Sequence, residues 1–158
     1  MVIDSIDAQI LNLLQTDASL SNQDLADRVG VSPPTCLRRV KRLTDIGLIE
    51  RRLAVVNLEK LAAIQGHGLT AIVEVTLDVQ ADDRLQAFEQ RVVKDTAVQQ
   101  CYRVSPGPDF VLVVHVADMP GYQALAQRLL ASDANVRNVK AFFSIRRAKF
   151  SPRVDVEV

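Results

Sequence analysis

The chain has 158 residues, 48% hydrophobic and 24% charged, which is enough to bury a core in one medium domain or two small ones and excludes a disordered chain. No apolar run approaches the ~18 residues of a membrane helix, and the opening MVIDSIDAQI carries acids where a secretory signal carries bases, so a cytoplasmic protein with no membrane partner is expected. The net charge is zero and the two cysteines, Cys36 and Cys101, have no CxxC partner, which argues against bulk coating of nucleic acid, against a zinc site and against a disulfide framework; no metal or cofactor is expected.

Residues 4–16 read as a first helix, with Ile6, Ile10, Leu13 and Leu14 on one apolar stripe. Ser21 is placed to cap a second helix, with Asp24 three residues on, and Gly30 is placed to end it. Ser32 then caps a third helix, with Pro33 at its first position and Gly47 at its end. A tight glycine turn between two short helices is the helix-turn-helix arrangement, whose second helix enters the DNA major groove.

The third helix carries Arg38, Arg39, Lys41 and Arg42, four bases in five positions with no acid among them. At about 100° per residue, Cys36, Leu37, Val40 and Leu43 fall on one side, while Thr35, Arg38, Arg39 and Arg42 fall opposite with Lys41 at the edge. The expectation is a buried stripe facing the first two helices and a basic arc facing double-stranded DNA, with Ser32 and Pro34 at its leading end. A solvated face usually mixes signs; this one does not.

Residues 48–57 alternate well enough for an exposed strand or hinge, and residues 58–69 read as a short helix and loop. Beyond residue 70 the pattern changes to a strand with one wet face (Val73, Val75, Leu77, Val79), then a helix through Leu85, Phe88, Val92 and Val93. Strands at 98–105 and 109–117 flank the turn Ser105-Pro106-Gly107-Pro108; a helix through Tyr122, Leu125, Leu129 and Leu130 and a last strand at 136–146 follow. Asp82 and Asp83 are placed at a helix start, where they suit its dipole. The expected fold is α+β: a three-helix helix-turn-helix domain (1–50), a hinge strand and linker (51–69), and a ferredoxin-like βαββαβ domain (70–158). The run Phe110 to Val114 lacks polar alternation, so its strand needs cover on both faces, which predicts self-association through the sheet.

The segments IDAQILNLLQ, DLADRVGVS and CLRRVKRLTDIGLI, with VSPGPDFVL, ADMPGYQAL and AFFSI in the second half, resemble the Lrp/AsnC family of leucine-responsive, or feast/famine, regulators over nearly the whole length. The resemblance implies a DNA-binding head and a ligand-sensing domain that forms dimers and commonly tetramers or octamers, with an amino acid often held between subunits. It implies an effector site around Ser105, Gly107 and Asp109, with Asp118 and Ser144 near it. The loop departs from the family pattern: Pro106 and Pro108 stand where the pattern has a glycine and an aromatic, and Pro106 removes a backbone donor. The strand also runs on into Arg146 and Arg147, where relatives often carry acids. No Ser-His-Asp or Cys-His set and no phosphate loop can be placed, so no catalytic residue is assigned. Two alternatives stay open: an effector-independent architectural DNA protein, and a tetrapyrrole-decarboxylating enzyme of the same fold, for which His115 and Arg103 are the available groups.

Overall fold

The computed structural model describes residues 2–158. The chain divides into two compact units, Met1–Val55 with Ala148–Val158, and Val56–Arg147.

The first unit holds α1 (Ser5–Thr16), α2 (Asn22–Val29) and α3 (Pro33–Asp45). Asp4 and Asp7 close a reciprocal capping box at the start of α1, each side chain accepting the other's backbone N–H. Ser21 caps α2 as expected, and Gly30 ends it with φ +71°, a left-handed conformation that glycine adopts without strain. Ile10, Leu11, Leu25, Ala26, Val29, Cys36, Val40 and Leu43 form the core. Asn22 donates from its side chain to the Pro33 carbonyl at 2.9 Å, locking the turn between α2 and α3.

Residues 148–158, the expected end of the second domain, pack with this unit instead, with Val156 against its core. Sequence periodicity could not place them, because they form neither helix nor strand.

The second unit has α4 (Leu58–Gln65), then β1 (Leu69–Leu77), α5 (Asp82–Val92), β2 (Val98–Arg103), β3 (Phe110–Val116), α6 (Met119–Ala126) and β4 (Val136–Phe143); a π-helical turn, Gln127–Ala131, extends α6. The βαββαβ order is the expected one, and the antiparallel sheet runs β2-β3-β1-β4. Ala71, Val73, Val75 and Leu77 alternate with more exposed residues along β1 and meet Phe110, Leu112 and Val114 of β3 under α5 and α6. Phe88 and Phe110 lie with ring centroids 4.6 Å apart in this core. The apolar run of β3 is thus split: its alternate residues Val111 and Val113 point to the opposite face, beside Ile72, Tyr102 and Phe142, three of whose side chains are exposed.

Residues 51–57, within the expected hinge strand and linker, are exposed and pair with no strand. A ladder needs a partner, and this single chain offers none at that position.

Candidate functional site

Helix α3 is divided three ways. Cys36, Val40 and Leu43 face the core. Arg39 and Arg42, one turn apart, reach α1: Arg39 Nη1 donates to both carboxylate oxygens of Asp4, at 2.9 and 2.8 Å, and to Asp7 Oδ1 at 2.9 Å, while Arg42 Nη2 donates to Asp7 Oδ2. Asp7 is 1% exposed, and it is the one buried charged residue among those described. Pro34, Leu37, Arg38 and Lys41, at i, i+3, i+4 and i+7, form the stripe that faces solvent.

This corrects two expectations. Leu37, assigned to the buried side, is 59% exposed. Arg39, expected to face outward with Arg38, is turned onto the acids of α1 with its side chain 23% exposed, whereas Arg42 pairs with Asp7 while its side chain stays 44% exposed. A helical projection gives angles but no partners, and a buried carboxylate on the neighbouring helix decided where the two guanidiniums went. The signal was present in the sequence as Asp-x-x-Asp at the start of the first helix.

The charges reinforce one another. Burial pushes the Asp7 carboxyl upward, but hydrogen bonds from Arg39, from the Asp4 backbone and from Arg42 outweigh it and hold the group below its usual range. The Asp4 carboxyl is lowered by the Asp7 N–H and by Arg39. Arg38 and Lys41 have no acid partner among the described residues, so they are the cations of α3 left uncommitted. Ser32 stands at the N-cap position, but its hydroxyl accepts from no helix N–H and donates instead to the Thr35 hydroxyl at 2.9 Å. That pair is rim-exposed and can re-form with an outside acceptor.

The residues expected at the effector site do not converge within one chain. Ser105, Gly107 and Asp109 lie in the β2–β3 loop, at the Leu77 end of β1, where Leu77 N–H donates to Asp109 Oδ2 at 2.7 Å and Asp109 N–H to the Val75 carbonyl at 2.9 Å. Ser144 follows β4 at the other end, its N–H donating to the Thr70 carbonyl at 2.8 Å. Asp118 follows β3 at that same end, where Val116 pairs with Leu69, and its carboxylate caps α6 through Gly121 N–H at 2.8 Å. Thr70 and Leu77 are seven strand residues apart, roughly 23 Å. The expectation that Asp118 and Ser144 neighbour the loop therefore fails within a single chain, because the two strand ends that carry them are opposite ends of one sheet. Asp109 keeps one oxygen, Oδ1, that no hydrogen bond occupies among those of the described residues.

His115 and Arg103, the groups an enzyme reading requires, are likewise separated. His115 Nδ1 bonds the Thr70 hydroxyl at 2.9 Å, whereas Arg103 sits opposite Phe110 and is held by Glu89 and Asp82 at 2.7 and 3.0 Å. Phe110 and His115 are five residues apart on β3, roughly 17 Å. No group of three or more metal-binding side chains occurs among the described residues, and no described helix is long and apolar enough to cross a membrane.

Residues 70–154 match the family model of the Lrp/AsnC ligand binding domain, and residues 3–50 match that of a winged helix-turn-helix DNA-binding domain. The chain is 36% identical over 155 residues to the leucine-responsive regulatory protein of Escherichia coli K12, covering 98% of this chain and 92% of the relative. Among solved structures it resembles an AsnC family transcriptional regulator from Agrobacterium tumefaciens, with a TM-score of 0.83, 30% identity and 96% of each chain covered. It is also similar to a transcriptional regulator of Neisseria meningitidis solved as a complex with L-Met, with a TM-score of 0.83, 28% identity, and 97% and 96% of the two chains covered.

Proposed function

The chain belongs to the Lrp/AsnC family of transcriptional regulators and is a DNA-binding regulator; from that premise we propose that it reads duplex DNA with the outward stripe of α3, assembles through its sheet, and responds to a small effector. Arg38 and Lys41 are the primary contacts, with Ser32, Pro34 and Thr35 at the leading end and Leu37 offering an apolar surface for a thymine methyl. Arg39 and Arg42 set the position of α3 against α1, and Arg42, whose side chain is 44% exposed, keeps an edge for a phosphate. The observation that carries this assignment is the split of the basic run into two committed and two uncommitted cations. The protein works without catalysis, in the cytoplasm.

Assembly rests on the open face of the sheet, where Ile72, Val111, Val113, Phe142 and Tyr102 form an apolar surface no helix covers. Leu53, Val55 and Val56 of the connector add exposed apolar side chains. A dimer places two α3 helices for a two-fold operator. Light scattering is expected to give a dimer or a multiple of it at micromolar concentration; a monomer there overturns this assignment.

The effector reading is supported by the family and by the L-Met complex of the Neisseria relative. Since the loop with Ser105, Gly107 and Asp109 lies at the other end of the sheet from Asp118 and Ser144, one ligand touching both groups has to lie between two copies of the chain. Asp109 is the anchor, holding a ligand ammonium through Oδ1. A neutral amino acid at about 100 times its Kd stabilises by ~2.7 kcal/mol, which a thermal-shift screen of the twenty amino acids resolves. Asp109→Asn keeps an acceptor for the Leu77 N–H and is expected to lose the ligand-induced rise while melting near wild type without ligand. If no amino acid moves the melting temperature at millimolar concentration, the second unit is an assembly module and the protein acts without such an effector.

A further inference from the structure

Between Asp133 and Asp155 the sequence contains no acid, and its last stretch, residues 146–153, reads RRAKFSPR. All eight of these residues are exposed, in neither helix nor strand. Lys149 and Arg153 belong to the same compact unit as α3.

A clasp on α1 holds the segment there. Asn12 Nδ2 donates to the Val156 carbonyl at 2.9 Å, and Asn12 Oδ1 accepts the Val156 N–H at 3.1 Å. One turn on, Gln15 Nε2 donates to the Val154 carbonyl at 2.9 Å, and Gln15 Oε1 accepts the Val154 N–H at 2.9 Å. Each side-chain amide stands in for a neighbouring strand, satisfying both backbone groups of one residue. Val156 seats in the core of the unit, and the basic residues lie upstream of the clasp.

The head has use for such a segment. With Arg39 and Arg42 committed to Asp4 and Asp7, α3 keeps two uncommitted cations, whereas tight duplex binders neutralise on the order of 6–10 phosphates. Lys149 has no acid partner among the described residues, and the Arg153–Asp155 pair, at 3.0 Å, is exposed and therefore weak enough to exchange for a phosphate.

We propose that residues 148–153 are a second DNA contact, a strap that binds the sugar-phosphate backbone of the duplex without regard to base and is held on the head by Asn12 and Gln15. This rests on the reading of α3 as the DNA-facing helix. The strap contributes affinity and salt dependence; α3 contributes sequence preference.

The test uses the full chain and a random-sequence duplex, with binding followed by fluorescence anisotropy between about 50 and 200 mM salt. The variant Lys149→Gln/Arg153→Gln is expected to weaken binding at low salt and to flatten the slope of log K against log salt by about 0.9 per lost contact, with an unchanged melting temperature. Asn12→Ala/Gln15→Ala keeps every charge and is expected to flatten the slope in the same direction, because the strap is no longer held. Arg38→Ala is measured alongside. If the Lys149→Gln/Arg153→Gln variant matches wild type while Arg38→Ala is weakened, the strap is refuted and α3 stands. If neither weakens binding, or the wild type ignores the duplex at low salt, both fall. If the Lys149→Gln/Arg153→Gln variant weakens binding but Asn12→Ala/Gln15→Ala keeps the wild-type slope, the clasp is refuted.

Discussion

Replacing Asp7 by alanine is expected to destabilise the three-helix unit by about 2–4 kcal/mol, visible as a lowered urea or thermal midpoint of the full chain. The carboxylate is 1% exposed, accepts from Arg39, Arg42 and the Asp4 N–H, and is half of the box that starts α1. Without it the Arg39 guanidinium, whose Nε is buried and unpartnered, keeps only the exposed Asp4. Arg42 can turn to water, which places the loss toward the lower part of the range for a broken buried pair. Asp7→Asn, which keeps the volume and one acceptor, recovers part of it. The same carboxylates give a pH signature. Because the folded state lowers the Asp7 and Asp4 carboxyls, their contribution is fully present above the ordinary carboxylate value near ~3.9 and is lost as pH falls through the lowered folded values. Stability of the wild type therefore declines below about pH 4, and Asp7→Ala declines less steeply there. A variant that melts with wild type at pH 7 removes Asp7 from the account.

Arg38→Ala with Lys41→Ala is expected to cost several kcal/mol of DNA affinity, at roughly 1–3 for each contact, with no loss of stability because neither side chain has a partner in the fold. On a duplex selected for binding, that is a loss of tenfold or more in a gel-shift or anisotropy titration, and a shallower salt dependence where the contact is to phosphate. Arg39→Ala behaves in the opposite way: it lowers the melting temperature, and its effect on DNA follows from a displaced α3. Were Arg39→Ala to abolish binding at an unchanged melting temperature while Arg38→Ala and Lys41→Ala bound normally, the outward and inward stripes of α3 would have to be exchanged.

Much of the architecture was legible from local pattern. Ser21, Gly30 and Pro33 mark the ends of α2 and the start of α3 by the chemistry of unpaired backbone groups, which needs no tertiary context. Period-2 alternation at Val73, Val75 and Leu77 and helical spacing at Phe88 and Val92 identified the faces that meet in the second core, since each must bury its apolar side. The basic character of the third helix and the family motifs followed from residue identity alone.

What tertiary structure alone decided were the pairings. Whether a cation on α3 faces DNA or a carboxylate depends on what the neighbouring helix places within about 3 Å of it, and Asp4 and Asp7 are some thirty residues away in the chain. The register of the sheet put Asp109 and Ser144 at opposite ends of β1, which no spacing along the sequence reveals. Residues 154–156 dock on α1 through side-chain amides, a contact that leaves no periodic trace because Asn12 and Gln15 each satisfy both backbone groups of one residue, in place of a ladder. Local propensity acts over a few residues and is written in the sequence; ion pairs, register and docking are set by distances that exist only once the chain has folded.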